Sequence, residues 1–151
     1  MKKVPYSAGI EIAATPTQVF AVLTDPKLAK QWHPEVVEVK HPEGALCVGA
    51  TAQAVVQEFG RRFSVESVIV ALEPNARIAY QMTTPMWSGR IEYVITDKHR
   101  STSVSILFAP DPPKRAPRLI LHVVAVLTRP LMQWRLRSVL AALQRVVEAN
   151  V

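Results

Sequence analysis

Three features are scarce in this chain, and each scarcity excludes a class of protein. Cys47 is the only cysteine among 151 residues, so neither a disulfide framework nor a thiolate metal cluster can form within the chain. The five glycines are too scattered to make a phosphate-cradling loop. The longest apolar run, residues 119–127, is too short to cross the roughly 30 Å of a bilayer core as a helix. We expect one soluble domain, residues 1–151, in a reducing cytoplasm.

The net charge of +6 is concentrated in the last third of the chain. Residues 1–97 carry nine Lys/Arg against ten Asp/Glu, whereas residues 98–151 carry nine against two. This excess indicates either a solvated helix face or an anionic partner such as lipid headgroups, an acidic protein or RNA. The arginines that would contact such a partner are Arg129, Arg135, Arg137 and Arg145. Nothing in the pattern favours DNA, and the start of the chain lacks the apolar segment of a signal peptide.

Helix signals appear early in the chain and then stop. Thr15 followed by Pro16 is a typical helix start, with a hydroxyl N-cap before a proline at the first helical position. The pattern predicts a helix from Pro16 to about Thr24 and a second short helix from Pro26 to about Gln31. The following Trp32-His33-Pro34 ends it, because a residue before proline avoids helical angles.

Strand signals fill the middle of the chain. The predicted strands are residues 4–13 before the short helices, and 35–41, 49–59, 61–73, 76–84, 87–97 and 101–109 after them. Turn residues separate the strands, including Pro42-Glu43-Gly44, and short turns predict antiparallel pairing. Ile91, Tyr93 and Ile95 alternate toward one face. If that face is the core, Arg90 and Glu92 form a surface pair; in the reversed register Arg90 is buried.

The chain ends in a predicted helix from about Pro117 to Ala149. Residues 119–127 are apolar nearly all round and are therefore expected to be buried on several sides. Pro130 is expected to kink the helix without splitting it. The following sequence is amphipathic. Met132, Leu136, Val139, Leu143 and Val146 are predicted to be buried, and Arg135, Arg137 and Arg145 to be exposed.

The order of these elements predicts an α+β fold with a cavity. Seven antiparallel strands must curl, and one long helix packed in the concave face cannot fill it. The remaining gap between the sheet and the helix would be concave, apolar and suited to a small ligand.

Several motifs resemble the START/polyketide-cyclase superfamily, whose fold is called the helix grip. The similarity lies in the segment Ile10 to Pro26, in Trp32-His33-Pro34 and in the turn Glu73-Pro74-Asn75 with the strand up to Tyr80. It covers the whole chain in element order. The resemblance implies a seven-stranded curved sheet around a long C-terminal helix. It does not specify a function, because the family includes cyclases, lipid carriers and hormone receptors.

Candidate site residues are the large side chains that exceed what one sheet–helix contact needs. For each residue separately, plain core packing is the alternative reading. The predicted cavity lining is a subset of Trp32, Tyr80, Met82, Trp87, Tyr93, Phe108, His122 and Met132. His122 is the one weak catalytic candidate, since its ring could contact a ligand or act as an acid or base.

The sequence leaves three functions open. The first is binding of a small hydrophobic or polycyclic ligand, lipid-like or polyketide-like. The second is a polyketide cyclase or dehydratase, which would need polar groups in the cavity to activate carbonyls. The scarcity of such groups favours binding. The third is association with a membrane surface or RNA through the basic C-terminal helix. No pattern predicts a cofactor or a metal, because the four histidines are not paired at ligand spacing.

Overall fold

The computed structural model describes residues 6–33, 35–40, 46–58, 60–85, 87–111 and 118–151. The elements in chain order are β1 (Tyr6–Ile12), α1 (Pro16–Leu23), α2 (Ala29–Trp32), β2 (Val36–Lys40), β3 (Thr51–Glu58), β4 (Arg61–Glu73), β5 (Arg77–Thr83), β6 (Ser88–Asp97), β7 (Thr102–Pro110) and α3 (Arg118–Ala149). The predicted α+β architecture is therefore confirmed. The turn Pro42-Glu43-Gly44 lies outside the described residues.

All seven strands form one antiparallel sheet in the order β1-β7-β6-β5-β4-β3-β2. Consecutive strands from β2 to β7 pair with one another, and β7 returns to pair with β1. Register shifts at Val36/Glu38 in β2 and at Ile69/Ala71 in β4 are irregularities that bend a strand and increase its twist. These irregularities help the sheet curl around the last helix.

The first helix begins where the sequence predicted. Thr15 Oγ1 accepts a hydrogen bond from Gln18 N at 3.2 Å, and Gln18 Oε1 accepts one from Thr15 N at 2.9 Å, which makes a capping box. The second helix is shorter than predicted and starts later, at Ala29. The carboxylate of Asp25 accepts a hydrogen bond from Lys27 N at 2.9 Å, so this stretch forms a turn instead of a helix start.

The core lies between the concave face of the sheet and α3. Ile91, Tyr93 and Ile95 point into it, which confirms the predicted register of β6. Arg90 and Glu92 consequently point to the outer face. There the Glu92 carboxylate pairs with the guanidinium of Arg90 at 3.3 Å and with that of Arg77 at 3.2 Å. The helix α3 continues through Pro130 without a break.

The packing of α3 departs from the sequence expectation in its first half. Leu136, Leu143 and Val146 are buried as predicted, whereas Met132 and Val139 are only partly buried. The expectation that residues 119–127 are buried on several sides is wrong. Six of their apolar side chains are exposed, namely Leu119, Ile120, Val123, Val124, Val126 and Leu127. Burial had been inferred from apolar character alone, and the structure shows that this part of α3 presents an apolar face to solvent.

Candidate functional site

The helix α3 packs along one edge of the concave face, next to β1. Gln144 Nε2 donates to Glu11 O at 2.9 Å, and Glu148 Oε1 accepts from Ala13 N at 3.0 Å. Near the start of β1, the Tyr6 hydroxyl lies 3.4 Å from Thr128 Oγ1. These contacts fix the helix beside β1.

The two sides of the concave face are therefore covered unequally. Three inward side chains lie opposite one another on adjacent strands and are fully buried, namely Ile78 of β5, Tyr93 of β6 and Ile106 of β7. On β3, β4 and β5, Val56, Ile69 and Ile78 are buried as well, but seven further inward side chains are only partly covered. They are Ala52, Ala54, Phe63, Val65, Ser67, Tyr80 and Met82. This half-buried strip, hereafter the open groove, is apolar except for one serine and one phenol.

Aromatic side chains form the floor next to the open groove. Trp32, carried by α2, is buried and meets Tyr93 edge to face, with ring centroids 6.1 Å apart. Its indole Nε1 is buried and has no hydrogen-bond partner within the described residues. A buried N–H without a partner costs about 1–3 kcal/mol relative to a satisfied one. It is therefore a strong candidate to donate to a group brought in from outside.

Two phenols lie nearby, the buried Tyr93 and the partly buried Tyr80. Desolvation raises the pKa of Tyr80 to about 12. Desolvation also raises the pKa of Tyr93 far above its ordinary value, and Tyr80 and the Glu35 carboxylate are close enough to raise it further. Both phenols are therefore protonated at neutral pH. They can donate hydrogen bonds, and neither can act as a base there.

A histidine–glutamate contact and an ion pair close to the aromatic floor were missed in the sequence. His33 Nδ1 lies 3.2 Å from Glu35 Oε1, and both side chains are mostly buried. Arg135, predicted to be exposed, is half-buried and pairs with Glu58, which joins α3 to the end of β3. The signal was present: Glu58 follows Ala52, Ala54 and Val56 at inward positions, and an inward acid needs a partner.

The hydrogen bond from His33 lowers the pKa of Glu35 below its ordinary value, with a smaller contribution from the positive charge of Arg135. A carboxylate with a lowered folded-state pKa stabilises the fold above its unfolded pKa, and that stabilisation is lost as pH falls through the folded value. The free energy of unfolding of the parent should fall as the pH is lowered from neutral to 3. In the Glu35→Gln variant we expect this fall to be smaller by about 1 kcal/mol. Urea titrations across that range measure it.

His33→Ala tests the same pair from the other side. It removes the donor, so the dependence of unfolding free energy on pH should flatten in this variant too. A Glu35→Gln protein that keeps the full acid sensitivity of the parent would show that the His33–Glu35 pair does not stabilise the fold.

The structure brings together most of the predicted cavity residues. Trp32, Tyr80, Met82, Tyr93, Phe108 and Met132 belong to one hydrophobic cluster. Trp87 lies at its margin, 37% exposed, with its ring 5.5 Å from that of Phe108. The side chain of His122 lies outside the described part of the chain. The role of these residues as a ligand lining stays a prediction.

Two depressions lie on the described surface. One includes Ala52 and Ser67 of the open groove and extends to Lys40, Gln53 and Glu66, and the other lies beside Thr15 and His99. Both are wide open to solvent and are lined by a mixture of polar and apolar atoms. Neither combines an apolar wall with an unpaired buried donor, so the open groove is the better candidate.

A seven-stranded antiparallel sheet with two short helices and one long C-terminal helix is the helix-grip fold. The chain belongs to the family described as "Polyketide cyclase / dehydrase and lipid transport", whose model matches residues 3–148. The resemblance seen in the sequence is therefore confirmed. No curated protein matches the chain significantly.

Solved structures show the same fold at low sequence identity. A START superfamily protein from Mycobacterium smegmatis has a TM-score of 0.76 at 15% identity, covering 97% of this chain and 99% of that one. A protein of unknown function from Staphylococcus aureus has a TM-score of 0.75 at 16% identity, covering 99% and 97%. DynU16, from the dynemicin biosynthetic locus, has a TM-score of 0.68 at 15% identity, covering 97% of this chain and 48% of that one.

Proposed function

We propose that the protein binds a small, mostly apolar molecule, lipid-like or polycyclic, in the open groove. The observation that carries the proposal is the unequal covering of the concave face. Seven inward residues of β3–β5 are half-buried, next to the buried Val56, Ile69 and Ile78, while the inward residues of β6 and β7 are mostly buried. An apolar ligand that covers Val65, Tyr80 and Met82 gains roughly 25 cal/mol for each Å² of apolar surface removed from water. A ligand of a few hundred daltons suits such a site.

The polar groups beside the groove refine the ligand class. Trp32 Nε1 and the protonated Tyr80 and Tyr93 hydroxyls are hydrogen-bond donors. A ligand with a carbonyl or hydroxyl oxygen at one end would satisfy the indole N–H. The preferred ligand is therefore an apolar body with one buried oxygen acceptor, which fits both fatty and polyketide-like molecules.

A matched pair of ligands tests this proposal. Fluorene and 9-fluorenone share a tricyclic skeleton and differ in one carbonyl oxygen. We expect the protein to bind fluorenone about 5–10-fold more tightly, because one satisfied buried donor contributes on the order of 1 kcal/mol. The Trp32→Phe variant keeps the aromatic body without the N–H and should bind both compounds equally. Fluorescence or calorimetric titration measures the affinities.

Trp87→Phe is the matched control, because it makes the same change at a partly exposed ring that contacts Phe108. It should leave the preference for fluorenone intact. Equal binding of the two compounds by the parent protein would show that the Trp32 N–H does not donate a hydrogen bond to the ligand. Failure of both compounds, and of fatty acids, to bind would overturn the proposed function.

Catalysis of the polyketide cyclase type is the second candidate, and one observation favours it. The His33–Glu35 pair, a group able to accept a proton, lies close enough to Tyr93 for the Glu35 charge to affect the pKa of that phenol. A proton acceptor beside carbonyl-binding donors is what enolisation of a ketone requires. Turnover of a poly-β-ketone by the parent but not by Glu35→Gln would establish this activity.

A further inference from the structure

The outer face of α3 carries a continuous apolar stripe. Its members are large side chains between 46% and 75% exposed, and they are Leu119, Ile120, Val123, Val124, Val126, Leu127, Leu131 and Trp134. At 3.6 residues per turn these eight positions fall within one arc of about 160°, over a length of about 22 Å. The core-facing Leu136, Leu140 and Leu143 lie on the opposite arc. We call these eight residues the outer stripe.

The apolar character of this arc ends abruptly. Beyond Trp134 the same side of the helix carries Arg137, Ser138, Arg145 and Glu148, all exposed. A surface helix normally presents polar residues to water along its whole outer face. Contiguous apolar patches of this kind mark sites of contact with a protein or a membrane. The first half of α3 is therefore the part of the helix that is suited to contact a partner.

Charge narrows the choice of partner. Between residues 112 and 147 the sequence contains seven Lys/Arg and no Asp/Glu. In the structure Arg137 is exposed just beyond the outer stripe, whereas Arg129 is exposed on the side of the helix that faces β1, with its guanidinium 5.7 Å from the centroid of the Tyr6 ring. The stripe lies on a helix whose charged residues before Glu148 are all arginines. Such a helix matches a surface that offers hydrocarbon together with negative charge.

We propose that the outer stripe docks on the surface of an anionic lipid bilayer, with α3 lying flat in the headgroup region. An interfacial helix of this kind buries apolar side chains about 5–10 Å deep and keeps basic residues near the phosphates. Trp134 suits the boundary, because an indole has a polar N–H and an apolar body. Each Arg near such a surface contributes about 1 kcal/mol. No helix within the described residues is long and apolar enough to span a membrane.

A second copy of the chain fits the stripe less well. If two stripes paired in parallel, Arg137 of one chain would meet Arg137 of the other. If they paired in antiparallel orientation, Arg137 would approach the first turn of the other chain's α3, which begins at Arg118. No acidic residue is available on this arc before Glu148 to neutralise the contact. Like charges facing each other disfavour association.

Vesicle flotation tests the proposal on the full chain. The protein is mixed with vesicles of phosphatidylcholine, with or without phosphatidylglycerol. We expect binding to the anionic vesicles at least about tenfold above binding to neutral ones, falling at high salt. The double variant Leu127→Glu/Leu131→Glu changes only exposed positions and should reduce anionic binding at least about tenfold, with its melting temperature unchanged.

The matched control is Val48→Glu/Val70→Glu, two exposed apolar residues away from α3. It should bind vesicles like the parent. Three results would overturn the proposal: no binding to anionic vesicles, equal loss in the control, or a parent dimer in sedimentation that the Leu127→Glu/Leu131→Glu variant dissolves. The last result would assign the stripe to a second copy. Ligand affinity in the open groove is measured separately with fluorenone, so either proposal can fail alone.

Discussion

Replacing Leu143 by alanine is expected to lower the free energy of unfolding by about 2–5 kcal/mol. Leu143 is fully buried between α3 and the sheet, in one cluster with Val104, Ile106 and Leu140. The substitution deletes buried apolar atoms together with their packing contacts. It leaves a cavity that the close-packed neighbouring side chains cannot fill. Urea unfolding monitored by circular dichroism measures the change, and the dependence of the unfolding free energy on urea concentration (the m-value) should be the same in the two proteins.

Leu127→Ala on the same helix is the matched control. Its side chain is 74% exposed, so the same chemical change should cost less than about 0.5 kcal/mol. The difference between the two variants reports burial, since helix propensity changes equally in both. A loss below about 1 kcal/mol for Leu143→Ala would show that the sheet does not grip this part of α3.

Replacing Ala54 by phenylalanine is expected to abolish ligand binding while the fold remains. Ala54 points inward from β3 and is only partly buried, opposite Val65 of β4. Because Ala54 is only partly buried, a phenyl ring at this position is expected to extend over the open groove. We expect affinity for fluorenone to fall at least about 100-fold, because a ligand of that size can no longer cover the strip.

Ala21→Phe makes the same change on the exposed face of α1 and serves as the control. It should bind fluorenone like the parent. The Ala54→Phe protein should unfold at the parent temperature or slightly above it, since it buries more apolar surface. Unchanged affinity in a folded Ala54→Phe protein would place the ligand elsewhere.

Much of the fold could be predicted because local rules agree with the global one. Thr15 and Pro16 predict the start of the first helix independently of tertiary contacts, because capping is a local interaction. The alternation of Ile91, Tyr93 and Ile95 identifies the core face of β6 without knowledge of its neighbours. Such signals depend on residues close in sequence, so one chain is enough to read them.

The candidate site depends on contacts that local rules cannot supply. Glu58 and Arg135 are 77 residues apart, and their pairing requires the curl of the sheet over α3. The indole N–H of Trp32, which has no partner among the residues that the structure describes, can be recognised only once its surroundings are placed. The apolar residues between 119 and 134 are compatible both with a helix face buried in the core and with an apolar face that is exposed. The helical spacing of Leu127 and Leu131 is the same in both cases, so it does not distinguish them.

Amide and methyl chemical shifts recorded during titration with 8-anilinonaphthalene-1-sulfonate test the central claim most directly. This probe is apolar with one anionic group, so it could bind either the open groove or the outer stripe. The account expects the earliest and largest shifts at Ala54, Val65, Tyr80 and Met82, with their loss in the Ala54→Phe protein. Shifts confined to Val123, Leu127 and Leu131, with Ala54 and Tyr80 unmoved, would contradict a ligand site in the open groove.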